Sequence, residues 1–429
     1  MKQLLNGTFK GTIRVPGDKS ITHRALMLGA LSQGTTNIYR PLISADTLRT
    51  FENMRQLGAE ITREGDDFKV ISNGHDSLTS PEQTLYTGNS GTTTRLITGL
   101  LAGLKNITAS VEGDATIAKR PMDRVVIPLS DMGADISLKN DKYPPVNIYP
   151  AVLKPLEYDM PIASAQVKSA ILFAGLFTDG ETIVHETHQS RNHSEIMMAQ
   201  FGADISVSGT TVKLNGGSKL SAADVTVPGD ISSAAFLIVL GLITEGADIT
   251  IENVSLNETR AGIIDVVKEM GGSITITEHD STGEKFGDIR VEYTPDLKPF
   301  HIDGDIIPRL IDEIPILAVL AVFASGASTV RGAEELRFKE TDRITAVIAE
   351  LEKFGVSFEE YEDGFKVRPG HSTIKQDQLF KGYHDHRIIM MLLVMAIAVN
   401  TNIEIDDSSA IDVSFPSFVS DLEGLRKDR

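Results

Sequence analysis

Cysteine is absent from this sequence of 429 residues. Its absence excludes disulfides, thiolate metal sites and cysteine nucleophiles, and it is typical of proteins from a reducing compartment. The N-terminal stretch MKQLLNG has no apolar core of the kind found in secretory signal peptides. Apolar runs such as residues 388–399 are too short to span a bilayer. We therefore expect a cytoplasmic protein that does not bind a membrane.

Positive charge is also scarce. The chain has 41 lysine and arginine residues against 59 aspartate and glutamate residues, a formal net charge of −18. This balance argues against nucleic acid as a partner, because binding to a phosphate backbone needs an excess of cations. A small anionic ligand must then be held by a local cluster of cations. The length is sufficient for two or three domains with cores of their own.

A helix-like stretch that ends in glycine and leads into a β-like stretch recurs along the chain. A glycine just after a helix can adopt the positive φ that ends the helix without a Cβ clash. We expect the glycine of each copy to end its helix in this way. The six glycines are Gly58, Gly133, Gly202, Gly271, Gly355 and, in a truncated sixth copy, Gly424.

A second recurring unit is interleaved with the first and consists of a fully apolar helix, a turn and a strand. A helix that is apolar on nearly every side is buried in a core, so six buried helices are predicted. The copies cover residues 25–38, 96–111, 170–184, 236–251, 317–330 and 391–405.

The tetrapeptide Val-Pro-Gly-Asp occurs at residues 15–18 and 227–230, at the same phase of the repeat. We interpret the two copies as crossings between globular halves, near residues 15–20 and 226–232, rather than as chance turns. The first strand, 7–15, should then pair with the C-terminal half. The predicted domains are 1–18 with 229–429, and an inserted domain, 19–228.

Charged motifs stand directly before the buried helices. Charge in that position must find partners or a ligand, and the first turn of a helix attracts anions. Some of the motifs alone have a simpler explanation, such as a capping turn or a solvated lysine. The motifs cover residues 18–24, 87–95, 118–124, 164–170, 310–315, 336–344 and 382–391.

Cations from both halves accompany carboxylates in these motifs. Asp312, Glu340 and Asp385 would share a cleft with several lysines and arginines. This mixture favours a small polyanionic substrate and acid–base chemistry over passive anion binding. The cations are Lys19, Arg24, Arg120, Lys168, Lys339, Arg343 and Arg387.

The stretch H-E-T-H at residues 185–188 invites a zinc interpretation. It is not the H-E-x-x-H pattern that places two histidines on one helical face, and it follows a strand-like run. We therefore predict no metal site here. Ser190 and Arg191, which follow, are better candidates for ligand contacts.

Taken in order, the motifs resemble the 5-enolpyruvylshikimate-3-phosphate synthase family from about residue 5 to residue 425. The K-E-T-D-R block at 339–343 and D-H-R at 385–387 are its specific marks, whereas G-N-S-G-T at 88–92 alone is weak. The resemblance implies an α/β fold: a two-domain inside-out α/β barrel with six βαβαββ units, three per domain. It implies transfer of the enolpyruvyl group of phosphoenolpyruvate to the 5-hydroxyl of shikimate 3-phosphate, without a cofactor, by a monomer whose domains close on the substrates.

The resemblance also implies residue roles. The implied catalytic residues are Lys19, Asp312 and Glu340. The residues implied to bind shikimate 3-phosphate are Ser20, Arg24, Ser164, Gln166, Ser190, Arg191, Asp312 and Lys339. Those implied to bind phosphoenolpyruvate are Lys19, Gly91, Arg120, Gln166, Arg343 and Arg387. Asn89 is a further site residue that the resemblance implies for the inserted domain.

Two positions depart from the family pattern. Val413 stands where many relatives have a basic residue, and we hypothesise that Lys168 supplies the missing contact. Ala165 replaces a serine of some members and offers only its backbone N–H. Two alternatives remain: a passive anion-binding protein, and an enolpyruvyl transferase that acts on UDP-N-acetylglucosamine.

Overall fold

The structure is a computed structural model that describes residues 7–281, 283–372, 374 and 378–427. The described chain divides into two compact units. The discontinuous unit lies within Met1–Pro16, Pro228–Ser281 and Lys285–Arg429, and the inserted unit lies within Gly17–Val227 and Thr282–Glu284.

The discontinuous unit contributes the first strand, β1 (Thr8–Ile13). The inserted unit follows with α1 (Lys19–Leu31), β2 (Gln33–Tyr39), α2 (Ala45–Gln56), β3 (Glu60–Glu64), β4 (Asp67–Asn73), β5 (Leu85–Tyr86), α3 (Gly91–Gly103), β6 (Ala109–Glu112), α4 (Asp123–Asp131), β7 (Asp135–Lys139), β8 (Tyr143–Tyr149), β9 (Glu157–Asp159), α5 (Ala165–Gly175), β10 (Glu181–His185), α6 (His193–Gln200), β11 (Asp204–Ser208), β12 (Thr211–Asn215) and β13 (Val225–Thr226).

The chain then returns to the discontinuous unit. Its further elements are α7 (Ile231–Ile243), β14 (Asp248–Ser255), α8 (Gly262–Glu269), β15 (Ser273–His279), β16 (Phe286–Glu292), β17 (His301–Ile302), α9 (Ile307–Leu310), α10 (Ile314–Val322), β18 (Ser328–Val330), α11 (Arg343–Leu351), β19 (Ser357–Tyr361), β20 (Gly364–Arg368), β21 (Leu379–Phe380), α12 (His386–Ala398), β22 (Glu404–Ile405), α13 (Phe418–Leu425) and β23 (Arg426–Lys427).

The sheets repeat one topology. In the inserted unit their strand orders are β5-β6-β8-β7, β9-β10-β12-β11 and β13-β2-β4-β3. In each, the first two strands are parallel and the last two form an antiparallel hairpin. The discontinuous unit has β1-β14-β16-β15, extended by β23, then β17-β18-β20-β19 and the shorter pair β21-β22. The predicted six-unit repeat is therefore confirmed, with the last unit truncated.

The first strand pairs as predicted with the C-terminal half of the chain. β1 runs parallel to β14, with Lys10 opposite Asp248 and Ile13 opposite Ile251. The pairing places β1 in the sheet of the discontinuous unit, although its partner strand lies more than 200 residues away in sequence.

The six apolar stretches all form buried helices: α1, α3, α5, α7, α10 and α12. Every residue of α7 is buried. The helices contribute to two separate hydrophobic cores, one in each unit. Because the apolar helices are covered on all sides, the charged residues that precede them are held at the edge of a rigid core.

The repeated glycines end helices in five of the six copies. Gly58, Gly133, Gly202, Gly271 and Gly355 all have positive φ. The prediction for Gly424 is wrong, because this residue lies inside α13, which continues to Leu425. The chain passes from α13 directly into β23, so that no left-handed turn is needed there.

The chain passes between the units at Pro16–Gly17 and at Val227–Pro228, within the two Val-Pro-Gly-Asp copies. Glycine is needed in both copies for space: a Cβ on Gly17 would lie 2.3 Å from the Arg40 carbonyl oxygen, and one on Gly229 would lie 2.8 Å from Val15 Cγ2. The aspartate that follows each glycine caps the next helix, Asp18 for α1 and Asp230 for α7. Among the described residues, no helix combines the length and apolarity needed to cross a membrane.

Candidate active site

In the discontinuous unit, the charged motifs meet around one guanidinium. Arg343 is the first residue of α11 and its side chain is only 1% exposed. Its Nη1 lies 3.2 Å from Asp312 Oδ1, and its Nη2 lies 2.6 Å from Glu340 Oε2. Its Nε donates to Asp385 Oδ2 at 2.8 Å. Three sequence-distant motifs are thereby joined at a single side chain.

The Arg343 guanidinium is firmly charged. Burial by itself lowers the pKa of this group, but the charges of Asp385, Glu340 and Asp312 outweigh burial and raise the pKa of Arg343 above its ordinary value. The charged guanidinium of Arg343 binds the carboxylates of both Asp312 and Glu340 and thereby fixes the distance between them.

Asp312 lies among three cations. Besides its contact with Arg343, its carboxylate lies 3.9 Å from Lys339 Nζ and 3.8 Å from Arg387 Nη2. Arg387 also donates from Nη1 to the Asp312 carbonyl oxygen at 3.1 Å. Asp385 caps α12 by accepting from the Arg387 backbone N–H at 2.9 Å. All six charged residues predicted from the second half therefore lie in one cluster: Asp312, Lys339, Glu340, Arg343, Asp385 and Arg387.

A second, deeper set of charges adjoins this cluster and was not foreseen from the sequence. Glu313 is fully buried, accepts from the Ser232 hydroxyl and lies 3.8 Å from Arg387 Nη1. Arg260 donates from Nη2 to Asp230 at 2.6 Å and to Ser232 at 3.1 Å. The aspartate of the second Val-Pro-Gly-Asp copy thus binds a buried arginine, a contact that the sequence did not indicate.

In the inserted unit, the first motif lies at the start of α1. Asp18 caps the helix, with Oδ1 accepting from the Ile21 N–H at 3.0 Å. Lys19 Nζ lies 3.2 Å from Asp46 Oδ2, a partner that the sequence did not indicate. The lysine is thus held at the opening turn, with its ammonium paired.

Arg24 is buried one turn further along α1. Its Nε donates to Ser194 Oγ and its Nη2 to Ser169 Oγ, both at 2.7 Å, and its Nη1 donates to the Ser20 carbonyl oxygen at 2.9 Å. Burial lowers the pKa of Arg24 to about 10, against the opposing influence of Glu195. The group is therefore charged at neutral pH.

The glycine-rich motif and the S-A-Q-V-K-S-A motif are brought together. Gln166 accepts from Arg95 Nη1 and donates from Nε2 to Thr92 Oγ1 at 3.1 Å. Arg120 reaches the same place, since a Cβ on Gly91 would lie 2.7 Å from its Nη1. Ser90 caps α3. Arg95 and Thr92 lie within the motif at residues 87–95, but only the fold shows that they hold Gln166.

Lys168 lies inside the unit. Its side chain is 1% exposed, and its Nζ lies 2.8 Å from Glu186 Oε2 and 2.6 Å from Glu195 Oε1. The hypothesis that Lys168 replaces the basic residue missing at Val413 is therefore wrong, because an ammonium enclosed by two carboxylates cannot reach a ligand. Glu186 belongs to the H-E-T-H stretch, and no group of three or more potential metal ligands is found in the described part of the chain.

Lys168 and Glu186 also fix the loop that carries Ser190 and Arg191. Lys168 Nζ donates to the Ser190 carbonyl oxygen at 3.4 Å, and the Ser190 N–H donates to Glu186 Oε1 at 3.3 Å. Ser164 caps α5 on the same unit. Val413 is half-buried in a short 3-10 turn of the discontinuous unit.

A buried chain of polar side chains links α1 to the start of α3. His23 Nδ1 lies 2.7 Å from Thr50 Oγ1, which lies 2.8 Å from Thr93 Oγ1. Thr93 in turn donates to Ser90 Oγ at 2.7 Å. Burial, with the nearby charges of Lys19 and Arg24, lowers the pKa of His23 well below its ordinary value, so its imidazole is neutral.

Comparison with known proteins adds independent findings. The sequence model of the family described as EPSP synthase (3-phosphoshikimate 1-carboxyvinyltransferase) matches residues 6–422. A 3-phosphoshikimate 1-carboxyvinyltransferase of Staphylococcus saprophyticus is 46% identical over 99% of this chain and 98% of the relative. One of Staphylococcus haemolyticus is 47% identical, with the same shares covered.

Solved structures agree. EPSP synthase from Acinetobacter baumannii is 38% identical, with a TM-score of 0.89 over 100% of this chain and 98% of that one. The enolpyruvyl transferase NikO from Streptomyces tendae is 18% identical, with a TM-score of 0.80 over 99% of this chain and 96% of that one, a likeness of fold alone. The predicted enolpyruvyl transferase fold is confirmed. The chain therefore belongs to the EPSP synthase (3-phosphoshikimate 1-carboxyvinyltransferase) family.

Proposed function

We propose that this protein transfers the enolpyruvyl group of phosphoenolpyruvate to the 5-hydroxyl of shikimate 3-phosphate, with release of inorganic phosphate. Family membership supports the reaction. The observation that carries the proposal for this chain's own residues is that Arg343 binds Asp312 and Glu340 at once. A carboxylate pair within a cluster of cations suits a reaction that moves protons on anionic substrates.

The chemistry requires proton transfers in both directions. In the addition, the 5-hydroxyl oxygen bonds to C2 of phosphoenolpyruvate while its proton leaves and the methylene carbon gains one. In the elimination, phosphate leaves the tetrahedral intermediate and the new methyl group loses a proton. We assign these transfers to Asp312 and Glu340, assisted by Lys19. Lys339 and Arg387 place two cations within 4 Å of the Asp312 carboxylate, at 3.9 and 3.8 Å.

Both substrates are multiply charged and repel each other, so that cations must fix both. Guanidinium groups suit carboxylate and phosphate oxygens because of their paired N–H donors. We assign phosphoenolpyruvate to Lys19, Gly91, Arg120, Gln166, Arg343 and Arg387. We assign shikimate 3-phosphate to Ser20, Arg24, Ser164, Gln166, Ser190, Arg191, Asp312 and Lys339.

Burial supports the assignment of the 3-phosphate to the Ser190 loop. Ser190 Oγ is buried, with no hydrogen-bond partner in the described chain, and the loop is braced by Lys168 and Glu186. Arg24 differs, because its three nitrogens already have oxygen partners within the inserted unit. We infer that Arg24 acts on the substrate chiefly through charge. We place the enzyme in the cytoplasm on the composition of its sequence.

Phosphate release tests the proposal. The protein is incubated with phosphoenolpyruvate and either shikimate 3-phosphate or UDP-N-acetylglucosamine. We expect release with the first acceptor only. Release with the second acceptor alone would make the chain a transferase of different specificity, and binding without release would make it a passive anion binder.

Two variants test the acid–base assignment. Glu340→Gln and Asp312→Asn should each bind shikimate 3-phosphate, measured by calorimetry, and lose at least about 100-fold in turnover. Glu359→Gln, an exposed change on β19 of the same unit, is the matched control and should keep the parental rate. Normal turnover by either test variant would remove that residue from the assignment.

A further inference from the structure

The loop between β21 and α12 is held in a costly conformation. Tyr383 and His384 follow each other with φ of 54° and 53°, a region that residues other than glycine seldom adopt. Such strain persists where the surrounding structure enforces it, often at functional sites. The next residue is Asp385, which caps α12 and binds Arg343. The loop therefore sets the position of the Arg343 cluster.

One buried carboxylate holds this loop. Glu350 is 1% exposed and accepts from the Lys381 N–H at 3.0 Å and from the Tyr383 hydroxyl at 3.2 Å. It also accepts from Lys353 Nζ at 2.7 and 2.8 Å, and Lys353 donates to the Leu379 carbonyl oxygen at 3.0 Å. Burial and the Glu350 charge raise the pKa of Tyr383 to about 12, so its hydroxyl remains a donor.

Helix α11 therefore contacts the loop at two points. Arg343 and Glu350 are seven residues apart on this helix, which is close to two full turns, so both lie on the same face. Arg343 binds the end of the loop through Asp385, and Glu350 binds its middle through Lys381 and Tyr383. The distance between these two points is fixed by the rigid helix.

The loop has further anchors that do not involve α11. The Gly382 N–H donates to Asp406 Oδ1 at 2.7 Å, and His384 Nδ1 lies 3.2 Å from Asp407. The Asp385 N–H donates to the Gly382 carbonyl oxygen at 2.9 Å. A change at Glu350 or Tyr383 therefore loosens the loop while these contacts remain.

We infer that Glu350 and Tyr383 are positioning residues for the reaction. They hold the left-handed turn that fixes Asp385, and through Asp385 they orient the guanidinium of Arg343 and the first turn of α12, where Arg387 lies. The inference rests on the proposed function, in which these two arginines bind phosphoenolpyruvate. It assigns a role to the buried carboxylate of Glu350, which does not belong to the proposed acid–base pair, Asp312 and Glu340.

Steady-state kinetics with each substrate varied in turn tests the inference. Tyr383→Phe removes one hydroxyl and keeps the ring, and Glu350→Gln removes the charge and keeps the shape. We expect both to raise the KM for phosphoenolpyruvate by about 10-fold, since small displacements of binding groups are costly. The KM for shikimate 3-phosphate should stay within about twofold. Tyr361→Phe, on β19 of the same unit, is the matched control and should match the parent.

Thermal unfolding of each variant separates positioning from folding. Should Glu350→Gln fail to fold, Tyr383→Phe decides, because it keeps the Glu350–Lys353 ion pair. Lowered stability with both KM values unchanged would show a structural role alone and overturn the inference. Equal rises in both KM values would overturn it as well. A parent protein that releases no phosphate refutes the proposed function and the inference with it, whereas an active parent with unaltered variants refutes only the inference.

Discussion

Replacing Lys168 by methionine should strongly destabilise the inserted unit. Methionine keeps the length and apolar stem of the side chain, so little space is left unfilled. It removes the ammonium that lies 2.8 Å from Glu186 and 2.6 Å from Glu195, carboxylates whose side chains are 1% and 4% exposed. Removal of one partner of a buried ion pair costs about 3–5 kcal/mol, because the remaining charge is left buried without compensation.

We expect about 4 kcal/mol for Lys168→Met, since two buried carboxylates lose their ammonium partner while Glu186 keeps the Ser190 N–H as a donor. For a unit of this size, 1 kcal/mol lowers Tm by about 2–4 °C, so a fall of about 10 °C is expected. Urea unfolding followed by circular dichroism measures the change, with the m-value unaltered.

The matched control is Lys213→Met, which removes an exposed lysine 3.7 Å from Glu181 in the same unit. The exposed pair should contribute less than about 1 kcal/mol. Adding Glu186→Gln to Lys168→Met should restore part of the loss, because one stranded charge is removed. If Lys168→Met proves no less stable than Lys213→Met, the reasoning from buried charge is wrong.

Three further results are expected. Gly91→Ala should raise the KM for phosphoenolpyruvate about 10-fold, because the new Cβ would lie 2.7 Å from Arg120 Nη1; equal rises for both substrates in steady-state assays would contradict this. His23 has a folded-state pKa well below its ordinary value, so the unfolded chain binds the extra proton and stability should fall as pH drops below about 6.5, by up to about 1.4 kcal/mol per pH unit. His23→Asn should lessen that slope in urea titrations between pH 7 and pH 5, and an unchanged slope would count against a neutral buried imidazole. Burial alone raises the pKa of Asp230, but Arg260 lowers it to about 2; its stabilising effect of about 2 kcal/mol is then present above pH 4 and lost towards pH 2. Asp230→Asn should be less stable than the parent at pH 7, with the difference closing in acid, whereas a gap that stays constant with pH would disagree.

The periodic features of the fold could be predicted because they depend on local properties. Six apolar stretches predicted six buried helices, since a helix that is apolar on all sides has no polar face to expose to solvent. Glycines at the ends of the amphipathic helices predicted left-handed turns, which only glycine adopts without strain. Gly424 was the exception, because α13 continues past it to Leu425.

The candidate site could be predicted only as a set of motifs. The residues around Arg343 were identified because charge before an apolar helix is costly without partners. Lys168 carried the same signal and was interpreted as a ligand contact, yet Glu186 and Glu195 enclose it. A charged residue in sequence does not reveal whether its partner is a ligand or another side chain.

By itself, the amino-acid sequence determined the repeat, the buried helices, the family resemblance and the positions of the charged motifs, because each is carried by residues close together in the chain. Only the tertiary structure decided which charges meet. Arg260 reaches Asp230 and Glu350 reaches Tyr383 across about 30 residues, and ion pairs within a core depend on distances of a few ångströms that no local pattern encodes.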